Sequence, residues 1–168
     1  MLKELSDRIL VPSPEEIEKE RVWIQSEIER IGEERLRQLI TKAVNVRLHA
    51  YIPYSGYAVG AAILTSSGKM FAAPNTEVVS YSQTGHAESN AINKAISEGE
   101  SADNRRFIDA LVVCHSGQSG PCGACRQEIV EHCDNTLIID VDPDGNLLTV
   151  TSLKVLLPYA FTPTHLGK

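Results

Sequence analysis

The chain has 168 residues, 42% of them hydrophobic and 23% charged, with a formal net charge of −6 at pH 7. That is the length of one domain, and the composition can bury a core and is not that of a disordered chain. The acidic balance argues against a sequence-independent nucleic-acid binder, the longest apolar run (Ala58 to Leu64) is too short to span a bilayer, and Met1-Leu2-Lys3-Glu4 lacks the basic region and apolar run of a secretory signal.

Charge is concentrated at one end. Residues 1–42 carry ten of the 22 acidic and eight of the 16 basic side chains, so the first quarter reads as solvated helix and the remainder as an aliphatic core. Ser13-Pro14-Glu15-Glu16 is a helix start, with Ser13 as cap, Pro14 at the first helical position and Glu16 closing a capping box. Ile17, Ile24, Ile28 and Ile31 give that helix one apolar stripe, and Gly32 suits its end. A second helix is predicted over 33–49, ended by Pro53. Ala58–Thr65 and Lys69–Pro74 read as a hairpin around Ser66-Ser67-Gly68. A helix over 86–98 stops at Gly99, and Phe107–Cys114 is an aliphatic strand. Pro121 opens a helix running to about His132. Leu137–Val141 and Leu147–Val150 are strands across the Pro143-Asp144-Gly145-Asn146 turn, and Ser152–Leu156 makes a last helical turn before Pro158. Strands alternating with helices after residue 58 point to an α/β sandwich around a central sheet, in which ligands sit at strand ends and helix N-termini.

The four cysteines, Cys114, Cys122, Cys125 and Cys133, all lie within twenty residues, which is unlike a disulfide framework and suits a reducing, cytoplasmic compartment. Cys122-Gly123-Ala124-Cys125 alone reads as a metal half-site or a redox pair. An isolated His-x-Glu is common, and a glutamate at a helix start ordinarily only complements the dipole. The combination is rarer. His86-Ala87-Glu88 and Pro121-Cys122-Gly123-Ala124-Cys125 each open a predicted helix, so His86, Cys122 and Cys125 supply three ligands for one zinc ion with an open position for water. Two thiolates and a neutral imidazole balance the dication, and Glu88, displaced from the ligand, is placed to shuttle a proton, as in the H-x-E…P-C-x-x-C pattern of zinc deaminases. Cys114 and Cys133 read instead as small core residues beside His115 and His132, and His49 and His165 as surface or interface residues.

From about Leu36 onward the chain resembles the nucleoside-type cytidine deaminases. Pro53-Tyr54-Ser55-Gly56-Tyr57-Ala58-Val59-Gly60-Ala61-Ala62, Asn75-Thr76-Glu77, the two zinc motifs and Leu156-Leu157-Pro158-Tyr159-Ala160-Phe161 carry the resemblance, in the family's order. It implies a three-layer α/β/α sandwich with a mixed five-stranded sheet over 36–168, and leaves residues 1–35 as an N-terminal helical extension. It implies Asn75 and Glu77 as ribose-binding residues, Ala87 and Glu88 reading the base edge, Tyr57 packing near the base, and Phe161 covering a pyrimidine, often in a neighbouring subunit. It implies a homo-oligomer, with a tetramer favoured and a dimer as the alternative. The activity implied is hydrolytic deamination of cytidine and deoxycytidine, in pyrimidine salvage; the alternative is a modified cytosine nucleoside, such as an N4-substituted cytidine or a blasticidin-type antibiotic, with Glu77 favouring the first. The partner expected is a small nucleoside, with no nucleic acid and no membrane.

Three departures stand out. Small members of the family often have Cys where His86 stands, with Arg after the glutamate, where this chain has Ser89; a His-Cys-Cys site needs less positive compensation than three thiolates. Tyr57 replaces Phe, and Glu77-Val78-Val79 replaces a more usual Glu-Asn-Ala, which bears on substrate breadth.

Overall fold

The computed structural model describes residues 12–102, 105–117 and 120–167; the expectation drawn from residues 1–4 lies outside them. Helix α1 (Pro14–Ile31) begins as its sequence dictates: the Ser13 hydroxyl accepts the Glu16 N–H at 3.2 Å, and the Glu16 carboxylate accepts the Ser13 N–H at 2.7 Å. Gly32, at φ +85°, turns the chain into α2 (Glu33–Arg47), two residues shorter than predicted. Strands β1 (Gly60–Thr65) and β2 (Met70–Pro74) form the expected hairpin, followed by α3 (Ala87–Ser97), β3 (Ile108–Cys114), α4 (Gly123–Ile129), β4 (Leu137–Val141), β5 (Leu147–Ser152) and the single turn α5 (Leu153–Leu156). The predicted helix from Pro121 to His132 is thus only seven residues long, and Cys133 lies in the irregular segment beyond it.

The five strands make one mixed sheet in the order β2-β1-β3-β4-β5, antiparallel except for the β3–β4 pair. Strand alternation divides its side chains between two layers. Ala61, Ile63, Leu111, Val113 and Ile138 face α3 and α4, where Ala91, Ile92, Ala95, Cys125 and Ile129 are buried. Ala62, Leu64, Val112, Leu137 and Ile139 face the other way, against Leu36, Leu39 and Ala43 of α2. The architecture is therefore a three-layer α/β/α sandwich. Ile24, Ile28 and Ile31 of the predicted stripe pack onto the second layer, but Ile17 is 55% exposed, over an open groove that Leu153 and Leu157 also line. Among the described residues no helix is long and apolar enough to cross a membrane.

Gly60 sets how closely the layers approach. A Cβ there would stand 2.2 Å from the Ala43 carbonyl oxygen, so α2 lies directly on the start of β1. Arg47, from the last turn of α2, donates to the Ala58 carbonyl at 3.0 Å and ties the segment before β1 to the helix.

Candidate metal centre and active site

Two helix N-termini meet at the end of β3. His86 occupies the N-cap position of α3 and Cys122 that of α4, neither with a side-chain cap bond, so both side chains are free to turn toward each other; Cys125 lies in the first turn of α4 and is buried. Their ligand atoms form a triangle: His86 Nδ1 is 3.2 Å from Cys125 Sγ and 3.4 Å from Cys122 Sγ, and the two sulfurs are 3.5 Å apart. Tetrahedral zinc with ordinary Zn–S and Zn–N bonds separates such ligands by roughly 3.5–3.8 Å, so this triangle is contracted by only about 0.3 Å. The donor chemistry fits as well. Burial pushes the Cys125 thiol far up, with the neighbouring Glu88 charge adding to the shift, so a thiolate there requires a cation beside it.

Glu88 sits in the first turn of α3 with its carboxyl buried. Burial raises its proton affinity above the ordinary carboxylate range; Cys125 and His86 oppose the shift, and the Asp140 charge adds to it. A buried carboxyl beside a metal triangle, with raised proton affinity, has the chemistry of a group that takes up and returns a proton.

A cavity of about 220 Å³ opens against this group. Ala87, Glu88, Val113 and His115 are its buried walls, and Tyr57, Asn75, Thr84 and Cys122 line it nearer the surface. Asn75 holds the Tyr57–Val59 segment: its amide donates to the Tyr57 carbonyl at 2.9 Å, and its side-chain oxygen accepts the Val59 N–H at 2.9 Å. Glu77 accepts the backbone N–H groups of Tyr54 at 2.8 Å and Ser55 at 3.2 Å; the Ser55 side chain and these donors hold its carboxyl below the usual range. Of the predicted site residues, the structure thus brings His86, Ala87, Glu88, Cys122, Asn75 and Tyr57 to one cavity. Cys125 stands behind its wall, and Glu77 and Phe161 stand outside it. Phe161 is 57% exposed, with its ring stacked on His165 and its carbonyl accepting the Gln127 amide at 2.7 Å.

The family model for the cytidine and deoxycytidylate deaminase zinc-binding region matches residues 33–140. The chain belongs to this deaminase family. It is similar to the cytidine deaminase of Sporosarcina psychrophila, with 36% identity over 133 residues covering 79% of this chain and 95% of the relative. The probable cytidine deaminase of Dictyostelium discoideum is 37% identical over 139 residues, covering 81% of this chain and 90% of the relative. The crystal structure of cytidine deaminase from Burkholderia pseudomallei superposes with a TM-score of 0.68 at 35% identity, over 74% of this chain and 98% of that one. This deaminase is a zinc protein, and His86, Cys122 and Cys125 are the residues positioned to hold the ion.

The deaminase site also contains residues that sequence reasoning passed over. Cys114 and Cys133 are buried, as expected of small core residues, but His115 lines the cavity. Its position at the C-terminal end of a strand was the available signal. Thr84, Val113 and Gly120 line the cavity too, without a local pattern to mark them. Arg126 clasps the zinc loop to the tail, donating to the Pro121 carbonyl at 2.7 Å and the Leu156 carbonyl at 2.9 Å. Ser89, where many family members carry Arg, donates its hydroxyl to Glu128 and links α3 to α4.

Proposed function

We propose that this chain catalyses the hydrolytic deamination of cytidine and deoxycytidine to uridine and deoxyuridine, with release of ammonia. The observation that carries the reading is the His86–Cys122–Cys125 triangle with the buried Glu88 carboxyl beside it on one cavity wall. Zinc held there supplies the Lewis acidity that makes water a nucleophile near neutral pH. Glu88 takes a proton from the attacking water as its oxygen bonds to the ring carbon bearing the exocyclic amine. The double bond from that carbon to the ring nitrogen opens as the carboxyl passes this proton to the nitrogen; the carboxyl then carries the remaining hydroxyl proton to the departing amine, the carbonyl forms, the carbon–nitrogen bond breaks, and ammonia leaves. The backbone at Ala87 and the Glu88 carboxyl read the base edge. Asn75 and Glu77 hold the ribose: Asn75 stands on the cavity wall, and Glu77 is kept ionised by its donors. Tyr57 packs near the base.

Phe161 serves a neighbouring subunit in a homotetramer. Its exposure supports this. Residues 36–168 form the catalytic unit and residues 1–35 an extension, of which Ile24, Ile28 and Ile31 pack on that unit. Four free cysteines suit a reducing cytoplasm, where the reaction belongs to pyrimidine salvage. The test is zinc content per chain together with ultraviolet loss on cytidine, deoxycytidine, N4-methylcytidine, cytosine, CMP and adenosine. Turnover of the first two is expected. Zinc-loaded protein active on no nucleoside overturns the proposal, and turnover confined to the N4-substituted compound replaces the substrate. Light scattering on the same sample checks the tetramer.

A further inference from the structure

The connection between β3 and α4 delivers Cys122 to the metal triangle, and a buried polar pair touches both its ends. His115 follows the last residue of β3 and donates its backbone N–H to the Val141 carbonyl at 3.1 Å. Asp140 lies on β4, whose parallel register sets it opposite Val113. Both side chains are inside the protein, at 2% and 3% exposure. His115 Nε2 and Asp140 Oδ1 face each other at 3.6 Å, and neither atom has a hydrogen-bond partner among the described residues. Buried polar atoms are ordinarily satisfied, so a pair held just beyond hydrogen-bond distance in the wall of an active site requires an explanation.

The remaining contacts of the pair supply one. His115 Nδ1 accepts the Gly117 N–H at 3.1 Å, so that nitrogen carries no proton and the neutral ring directs its Nε2–H at Asp140. Asp140 Oδ2 accepts the Thr149 hydroxyl from β5. The same oxygen lies against Gly120: a Cβ at that residue, whose φ is +49°, would stand 3.3 Å from it. The imidazole therefore holds residue 117 by a hydrogen bond, and the carboxylate packs so close to residue 120 that a side chain there would crowd it; Gly120 is followed directly by Pro121 and Cys122. His115 and Gly120 also share the cavity wall with Glu88 and Cys122, while neither His115 nor Asp140 belongs to the group that could ligate the ion.

We propose that His115 and Asp140 are positioning residues for the metal centre, the first hydrogen-bonded to residue 117 and the second packed against residue 120, which together set where Cys122 stands. The proposal rests on His86, Cys122 and Cys125 being the zinc ligands. Loosening either member lets Cys122 drift from the triangle, so zinc leaves faster and turnover falls, while the substrate contacts of Asn75 and Tyr57 are untouched. Residues that orient metal ligands typically cost about 10–100-fold in metal affinity or activity when replaced.

The test compares His115→Gln, Asp140→Asn and the double variant with the wild-type zinc enzyme. It measures the rate of zinc loss to a chromogenic chelator, kcat and KM on cytidine, and the Tm of the zinc-stripped proteins. Expected are zinc loss about tenfold faster, kcat about tenfold lower, KM within about twofold, and a double variant no worse than the worse single one, because the two act as one unit. Thr149→Val frees only the Asp140 carboxylate, spares the buried pair itself, and is expected to move zinc loss in the same direction by a smaller factor. An unchanged zinc-loss rate alongside a lowered Tm would mean that the pair serves the fold alone and overturns the proposal. A raised KM at constant kcat would make His115 a substrate contact and overturn it equally. Wild-type protein that binds no zinc removes the ligand reading itself, a failure visible before any variant is made.

Discussion

Gly60→Ala tests whether the contact between α2 and β1 governs both stability and the active-site segment beside it. The added methyl would sit 2.2 Å from the Ala43 carbonyl oxygen, 2.7 Å from the Arg47 nitrogen and 2.8 Å from the Arg47 Cβ. Ordinary carbon contacts fall at about 3.5–4.0 Å, so the helix must withdraw by roughly 1 Å. Overpacking in a core typically costs about 1–3 kcal/mol, and the upper end applies here because the obstructing atoms are mostly helix backbone. For a chain of this size about 3 kcal/mol corresponds to a Tm lower by about 6–12 °C. Arg47 also holds the Ala58 carbonyl, and Tyr57 and Val59 on either side line the cavity, so withdrawal of α2 drags that wall with it. A displacement of about 1 Å can cost up to 100-fold in rate, and kcat/KM on cytidine is expected to fall by at least about tenfold. The assays are calorimetry of the zinc-loaded protein and ultraviolet loss on cytidine. Gly123→Ala is the control: its Cβ would meet nothing within 4 Å, and a compatible Gly→Ala change is neutral or stabilising by about 0.4–1 kcal/mol. A Gly60→Ala protein melting within about 2 °C of wild type would refute the reasoning, since a gap the size of a methyl would then have to exist between α2 and β1.

Glu88→Gln preserves shape and removes the proton carrier. It is expected to keep its zinc and lose about 10²–10⁴-fold in kcat, and a variant retaining half its turnover contradicts the role. Stripping zinc with a chelator is expected to lower Tm and to expose Cys122 to a thiol reagent at pH 8. Cys114 and Cys133 should stay unreactive, the latter because burial pushes its thiol up to about 12; four reactive thiols in folded, stripped protein would contradict the burial. Asn75→Asp keeps the acceptor for the Val59 N–H but turns a carboxylate oxygen toward the Tyr57 carbonyl, and is expected to cost about 1–3 kcal/mol in denaturant unfolding; equal stability would mean that the amide serves substrate alone.

What could be read in the sequence and what could not divide along a physical line. The capping box at Ser13 and Glu16, the hairpin around Gly68, and the placement of His86 and Cys122 at two helix starts depend on residues within a few positions of one another, and all stand where the sequence puts them. Ile17 fails for the complementary reason. A 3.6-residue period identifies the apolar face of a helix but not how closely the surface beneath approaches it, and Ile17 stands over an open groove that Leu153 and Leu157 also line. The His115–Asp140 pair is the sharper case. Each residue taken alone is unremarked: one trails a strand beside a cysteine, the other lies inside an aliphatic run. They meet because β3 and β4 are parallel neighbours, joined through α4, and because the register sets Asp140 beside the end of β3. The crossover that creates this meeting is the segment that carries Cys122 and Cys125. In this fold the metal ligands are therefore local motifs, and what holds them in place is created by strand register across the chain that bears them. A search for motifs finds the first and passes over the second, even where both face the same cavity.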